Sequence, residues 1–241
     1  MKKLLVLAGP ALLALAGCSP ARRAEPPQPK AFGTALVEVG GSKQEASIGS
    51  PVDQPVVVQV NDAQGTAVAG ALVSFHVPGG GVAAPESGLT GADGQFTTSV
   101  SVGGATGRYQ VVASTRDKTG KAIELRLDEV ALGYQETLGR ELNVMYCTRC
   151  HNSESTAERV SNHDNLTAKA HDFTEGDVLN KMSDAELTSV IAHGGPALNR
   201  SPEMPPYGYT LSPAEINALI AYIRAVADPP YRSKGAVYAS K

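Results

Sequence analysis

The sequence predicts a multidomain chain, an all-β sandwich followed by an all-α unit. Apolar residues alternate with period two between about residues 33 and 132, and glycine-rich turns separate the alternating runs. After Gly133 the apolar period becomes helical. At 241 residues the chain has room for two cores of ordinary size. The expected division is 1–17, 18–32, 33–132 and 133–241.

The first segment has Lys2 and Lys3 ahead of an apolar stretch from residue 4 to 16, broken only by Gly9 and Pro10. It is too short to span a bilayer comfortably and reads as an export signal. Its end, "LAGC" at residues 15–18, resembles the lipobox of bacterial lipoproteins. That resemblance implies cleavage before Cys18, lipidation of Cys18 and a cell-envelope location on the periplasmic side. Ser19 in place of an aspartate implies the outer membrane rather than the inner. A secretory signal followed by a chance cysteine is the alternative. Residues 19–30, "SPARRAEPPQPK", are proline-rich and lack a run of large apolar residues. Such a segment extends at about 3.1 Å per residue and is expected to act as a tether.

In the third segment Val56, Val58 and Val60 share one face, as do Val73, Phe75 and Val77. Phe96, Thr98, Val100 and Val102 form another such set, followed by Tyr109, Val111 and Ala113, and by Ile123, Leu125 and Leu127. Turn signals stand between them at residues 61–65, 78–81, 91–94, 103–107 and 117–120. One apolar face per strand over about 100 residues is what an antiparallel sandwich requires. His76 alternates away from the apolar set and is expected to face solvent. The runs "PVVVQVNDAQGTAVAGALVSFHVPGGG" and "LTGADGQFTTSVSVGGATGRYQVVAS" resemble bacterial immunoglobulin-like domains of the invasin and intimin kind. The resemblance implies a spacer or protein-binding module without catalytic chemistry.

In the last segment Leu138, Leu142 and Met145 are expected to line one helix face leading into Cys147. Ser183, Asp184, Ala185 and Glu186 spell a capping box ahead of Leu187, Val190 and Ile191. Ser212 to Glu215 spell a second, with Pro213 at the favoured first position, ahead of Ile216, Leu219, Ile220, Ile223 and Val226. Asp228, Pro229 and Pro230 stop that helix.

The formal net charge is −3, with 19% charged residues and no basic run, so nothing resembles a nucleic-acid footprint. Of three cysteines, Cys18 is used by the expected anchor, which leaves Cys147 and Cys150 with each other or with a cofactor. The string "CTRCH" at residues 147–151 is the attachment signature of c-type haem. On a helix the two thiols sit about one turn apart, where both reach the vinyl groups of one porphyrin, and His151 comes beneath the iron. A zinc site using both thiolates, His151 and one of His163, His171 or His193, and a redox disulfide, are the competing readings. The spacing matches no common zinc module, and the helical context does not suit a thioredoxin-type disulfide.

For the sixth ligand, Met1 leaves with the signal and Met145 lies on the haem helix itself. Met182 and Met204 remain; Met182 precedes a capping box and is expected to pack under a helix. Met204 lies in "RSPEMPPYGYTLSP", residues 200–213, where prolines stiffen the backbone at low entropic cost. His163, His171 and His193 are the imidazole alternatives. Arg200, Tyr207 and Tyr209 flank this loop and either bond the porphyrin carboxylates or face solvent.

The half from Gly133 onward resembles class I monohaem cytochrome c, through "CTRCH", "DFTEGDVLNKMSDAELTSVIAHGG", Met204-Pro205 and "LSPAEINALIAYIRAV". The resemblance implies haem c held by Cys147 and Cys150, His151 as proximal ligand and Met204 as distal ligand. It also implies a crossing of the first and last helices at Gly139 and Tyr222, although Asn143 stands where the family commonly has an aromatic. The function expected is electron transfer with a periplasmic redox protein, the chain being a carrier and not itself an enzyme. A ligand-binding or sensory haem protein, and an adhesin or docking module whose cytochrome serves a larger redox complex, are the alternatives.

Overall fold

The computed structural model describes residues 27–156 and 159–232. The export signal, Cys18 and the first part of the tether lie outside the described residues. Within them, Lys30 already donates its N–H to Gly70 O at 2.8 Å, and Ala31 bridges Ala71.

Two sheets make the N-terminal half. The first orders β1 (Ala35–Gly40), β3 (Val56–Asn61), β7 (Gln95–Ser101) and β5 (Val82–Ala84) as β1-β3-β7-β5. The second combines β2 (Glu45–Ser47), β9 (Ala122–Leu132), β8 (Gly107–Arg116), β4 (Leu72–His76) and β6 (Ser87–Leu89) as β2-β9-β8-β4-β6. All pairings are antiparallel except β2 with β9, where Glu45 stands beside Val130 and Ser47 beside Leu132. The alternating sets form the core: Val56, Val58, Val60, Val73, Val100, Val111 and Ala113 are buried together, and His76 is exposed. Branched side chains stiff at χ1 suit such a pleated, half-buried surface.

The turns use the aspartates that sequence marked. Asp62, Asp93 and Asp117 each accept backbone N–H bonds from the residues that follow, and Gly65, Gly94 and Gly120 beside them have φ of 82°, 72° and 84°. An Asx turn fixes the reversal, and only glycine enters that left-handed region without penalty.

A single residue, Gly133, separates β9 from α1 (Tyr134–Leu142). A π-helical turn, Asn143–Cys147, then leads into α2 (Thr148–His151). The rest comprises α3 (Gly176–Leu179), α4 (Asp184–His193) and α5 (Pro213–Val226), with short 3₁₀ turns at His163–Asn165 and Gly195–Leu198. Both capping boxes are made: Ser183 and Ser212 accept from Glu186 and Glu215, whose side chains return the bond. α5 buries Ile216, Leu219, Ile220, Ile223 and Val226.

One expected side chain is out of place. Leu138 and Leu142 pack on the helical core, but Met145 is 69% exposed. The π turn inserts an extra residue, so the face that continues from Leu142 passes to Cys147 and Met145 rotates to solvent.

Helices α1 and α5 cross where Gly139 meets Ala218 and Tyr222, at positions where a Cβ on Gly139 would come within 2.1 Å of Ala218 O. Asn143, which stands where class I cytochromes c commonly have an aromatic, is buried. Val130 and Leu132 of β9 belong to the helical core rather than to the sandwich core.

Candidate haem site

Helix α2 and the π turn present Cys147 and Cys150 as free thiols, the first buried and the second partly so. Burial, reinforced by the neighbouring Cys150, pushes the Cys147 thiol up to about 12, so it rests as the neutral thiol. The loop after α2 is fastened back onto that helix: Asn162 N–H donates to Arg149 O at 2.6 Å, and Arg159 donates to Thr148 O at 3.0 Å.

His151 is held by Nδ1, which lies 2.6 Å from the backbone oxygen of His171. A carbonyl can only accept, so Nδ1 carries the hydrogen and Nε2 is left with the lone pair. Burial holds the imidazole below its ordinary pKa and so in the neutral, ligating form. The ring of Phe173 packs against it at 5.0 Å between centroids.

The Met204 loop is attached to the carboxyl end of α4. Tyr207 and Gly208 donate N–H bonds to Ile191 O and Ala192 O, both at 2.9 Å, which satisfies carbonyls a helix end leaves free. Gly194 and Gly195 let the loop approach closely: Gly195 N–H donates to Met204 O at 3.1 Å, and a Cβ on Gly195 would lie 2.0 Å from Ser201 O. Gly194 itself has φ of 82°.

These pieces surround one cavity of about 370 Å³. Cys147, Cys150, His151 and Met204 all line it, over an apolar floor that includes Leu179, Leu187, Val190, Leu219 and Ile223. The size lies in the range of cofactor sites, about 300–1,000 Å³. The donor set suits a porphyrin iron: a neutral imidazole with Nε2 free, a thioether, and two unpaired thiols at the same cavity.

The other sequence candidates separate cleanly. His193 is exposed, its ring against Ser189 O, and His163 pairs with Asp164; neither lines the cavity. His171 does line it, but its ring is engaged with Glu175 at 2.8 Å. Met182 packs partly buried on the helical core and also reaches the cavity wall. Arg200 and Tyr207 line the cavity, whereas Tyr209 is 100% exposed. Tyr146, Phe173 and the His171 carbonyl were not singled out by sequence. Phe173 and Tyr146 carry only an aromatic signal, and a backbone oxygen carries none.

The family model described as cytochrome c oxidase, cbb3-type, subunit III matches residues 135–223. Residues 135–223 form a c-type cytochrome domain. The cytochrome domain implies haem c as cofactor and supports haem-based electron transfer. No curated protein matches the chain. Among solved structures, the D00–D0 domain of intimin is similar at 22% identity over 42% of this chain and 48% of that one, with a TM-score of 0.31. The Escherichia coli adhesin FdeC is similar at 19% identity over 40% of this chain and 32% of its own, with a TM-score of 0.29. The Yersinia pseudotuberculosis adhesin InvE stands at 13%, 41%, 32% and 0.28 in the same terms. The chain thus spans less than half of the intimin fragment and about a third of either adhesin. The strand-rich half, a two-sheet sandwich that resembles these immunoglobulin-like domains, stands ahead of the helical cytochrome domain.

Proposed function

We propose that the chain is a membrane-anchored electron carrier with one haem c, bound covalently through Cys147 and Cys150 and ligated by His151 and Met204. What supports this reading is the convergence of those four side chains on a single apolar cavity in a c-type cytochrome domain. Bound haem c supplies an iron centre that changes oxidation state by one electron with no bond to substrate made or broken. His151 offers Nε2 because His171 O holds its other nitrogen, a partner of the kind that orients metal-bound imidazoles. Met204, on a loop fixed to α4, would hold the iron through its thioether. A thioether there raises the reduction potential relative to a second imidazole. The buried aliphatic floor excludes water and lowers the local dielectric.

The anchor belongs to the same proposal: Cys18 carries lipid, and the chain faces the periplasm, from the outer membrane in preference to the inner. There it exchanges electrons with a protein partner, acting as a carrier and not as an enzyme. The matched family is named for an oxidase subunit, which favours a second reading in which the cytochrome serves a larger redox complex.

The test is the optical spectrum of the protein produced with haem-maturation machinery. The oxidised wild type should show the weak far-red sulfur-to-iron band, Met204→Ala should lose it, and His171→Ala and His193→Ala should keep it. A Met204→Ala protein that retained the band would refute the ligation. Cys18→Ser should move the protein from the membrane fraction to the soluble envelope fraction, and continued membrane association would refute the anchor.

A further inference from the structure

The two halves share structure that a spacer does not need. Val130 and Leu132 stay paired in the sandwich sheet, but their side chains pack in the helical core. Arg108 of β8, its side chain 8% exposed, donates through Nη2 to Val226 O at 2.6 Å and through Nε to Ala227 O at 3.2 Å. It thereby caps the carboxyl end of α5 with a cation, where free carbonyls concentrate negative potential.

The second link runs toward the haem site. Glu45, on the edge strand β2, accepts a hydrogen bond from the Tyr222 hydroxyl at 2.9 Å. Tyr222 is buried at the crossing of α1 and α5. The Tyr222 ring meets Phe173 edge-on at 6.5 Å, and Phe173 meets His151 at 5.0 Å. A continuous file of packed groups therefore connects a sandwich carboxylate to the imidazole beside Cys150. Arg108 from β8 and Arg140 from α1 are the charged groups near the Glu45 carboxylate, and burial raises its pKa against their pull.

We propose that Glu45 is a positioning residue for the haem site, holding the His151 ring through Tyr222 and Phe173, so that the sandwich is a working part of the cytochrome. The proposal rests on His151 being the iron ligand. It differs from a spacer role in what it demands: loss of one hydrogen bond on the sandwich must be felt at the iron. Cores and interfaces transmit such changes because packed side chains have few alternative arrangements.

The experiment uses the full-length holoprotein with Glu45→Ala, Glu45→Gln, Tyr222→Phe and the Glu45→Ala/Tyr222→Phe double variant. The readouts are the hyperfine-shifted proton resonances of the axial imidazole, the reduction potential, and amide exchange along α5. Glu45→Ala and Tyr222→Phe are each expected to move the imidazole resonances and the potential. They should also speed α5 exchange roughly tenfold, the effect of one buried hydrogen bond to a charged group. The double variant should do no more than either single one, because both remove the same bond. Glu45→Gln keeps an accepting oxygen and should return the wild-type resonances.

Faster α5 exchange with unchanged imidazole resonances and potential would overturn the proposal and leave Glu45 as structural support only. So would additive effects in the double variant. If Glu45→Ala fails to fold, Tyr222→Phe, which keeps the ring and loses one oxygen, carries the same expectation. A wild-type spectrum without imidazole resonances would overturn the ligation by His151 and this inference with it.

Discussion

Substituting Gly139 by alanine tests the helix crossing that supports the haem site. A Cβ at this position would lie 2.1 Å from Ala218 O, 2.7 Å from Ala218 C and 2.7 Å from Tyr222 Cβ. Two of these atoms are backbone and the third is a side-chain stem, so no rotamer change relieves the contact. Helices α1 and α5 must separate by about 1 Å to reach ordinary contact, and overpacking of this kind costs about 1–3 kcal/mol. Alanine returns about 1 kcal/mol through helix propensity. Because the shift also disturbs Tyr222 and the buried Leu142 and Leu219, the steric cost should stand near the top of its range, for a net loss of about 2 kcal/mol. In urea, with a slope of about 2 kcal/mol/M, the unfolding midpoint of the holoprotein should fall by about 1 M at unchanged slope. Gly104→Ala is the comparison, since a Cβ there meets nothing within 4 Å, and it should stay within about 0.5 kcal/mol of wild type. A Gly139→Ala protein as stable as wild type, or more stable, would refute the close-crossing argument.

Glu129 is 0% exposed, with Oε2 accepting from Gln44 N–H and Oε1 without a hydrogen-bond partner among the described residues, and burial raises its carboxyl from the ordinary 4.5 to about 7, with help from Glu38 and Asp128. The raised value means that its favourable contribution is full below about pH 4.5 and is lost as pH rises through 7. Glu129→Gln should therefore flatten the urea midpoint between those pH values and exceed wild type at pH 8 by about 1–3 kcal/mol; parallel profiles would contradict this. Arg224 joins Leu179 O, Met182 O and Asp184 through three nitrogens, so Arg224→Lys, a single point charge, should lose about 1–3 kcal/mol in the same assay. Ser183→Ala and Ser212→Ala each remove the cap of a long helix and should cost about 1 kcal/mol apiece, with their sum in the double variant because the caps sit on separate helices.

What could be read from the sequence follows the strength of the local signals. Apolar alternations located β3, β4, β7, β8 and β9, and the two serine boxes located α4 and α5, because in each the spacing alone dictates which face is buried. Strands β1, β2, β5 and β6 are short or sit at sheet edges, where alternation is weak, and they were not marked individually. The parallel pairing of β2 with β9 depends on contacts between distant segments, for which spacing carries no information. "CTRCH" and Met204 were singled out because cofactor chemistry asks for particular atoms, and the structure brings their side chains to the same cavity. The π turn was not: its extra residue moved Met145 outward while leaving the motif intact. Nor was the joint between the domains, since Arg108, Glu45 and Val130 look like ordinary strand residues until α5 is packed beside them.

The most direct measurement of the central claim is the intact mass of the purified protein under denaturing conditions, after extraction with acidified acetone. The chain made with haem-maturation machinery should retain the added mass of one haem, and Cys147→Ser/Cys150→Ser should retain none. A wild-type chain that gave up its haem to the solvent, or a double variant that kept it, would contradict covalent attachment at Cys147 and Cys150.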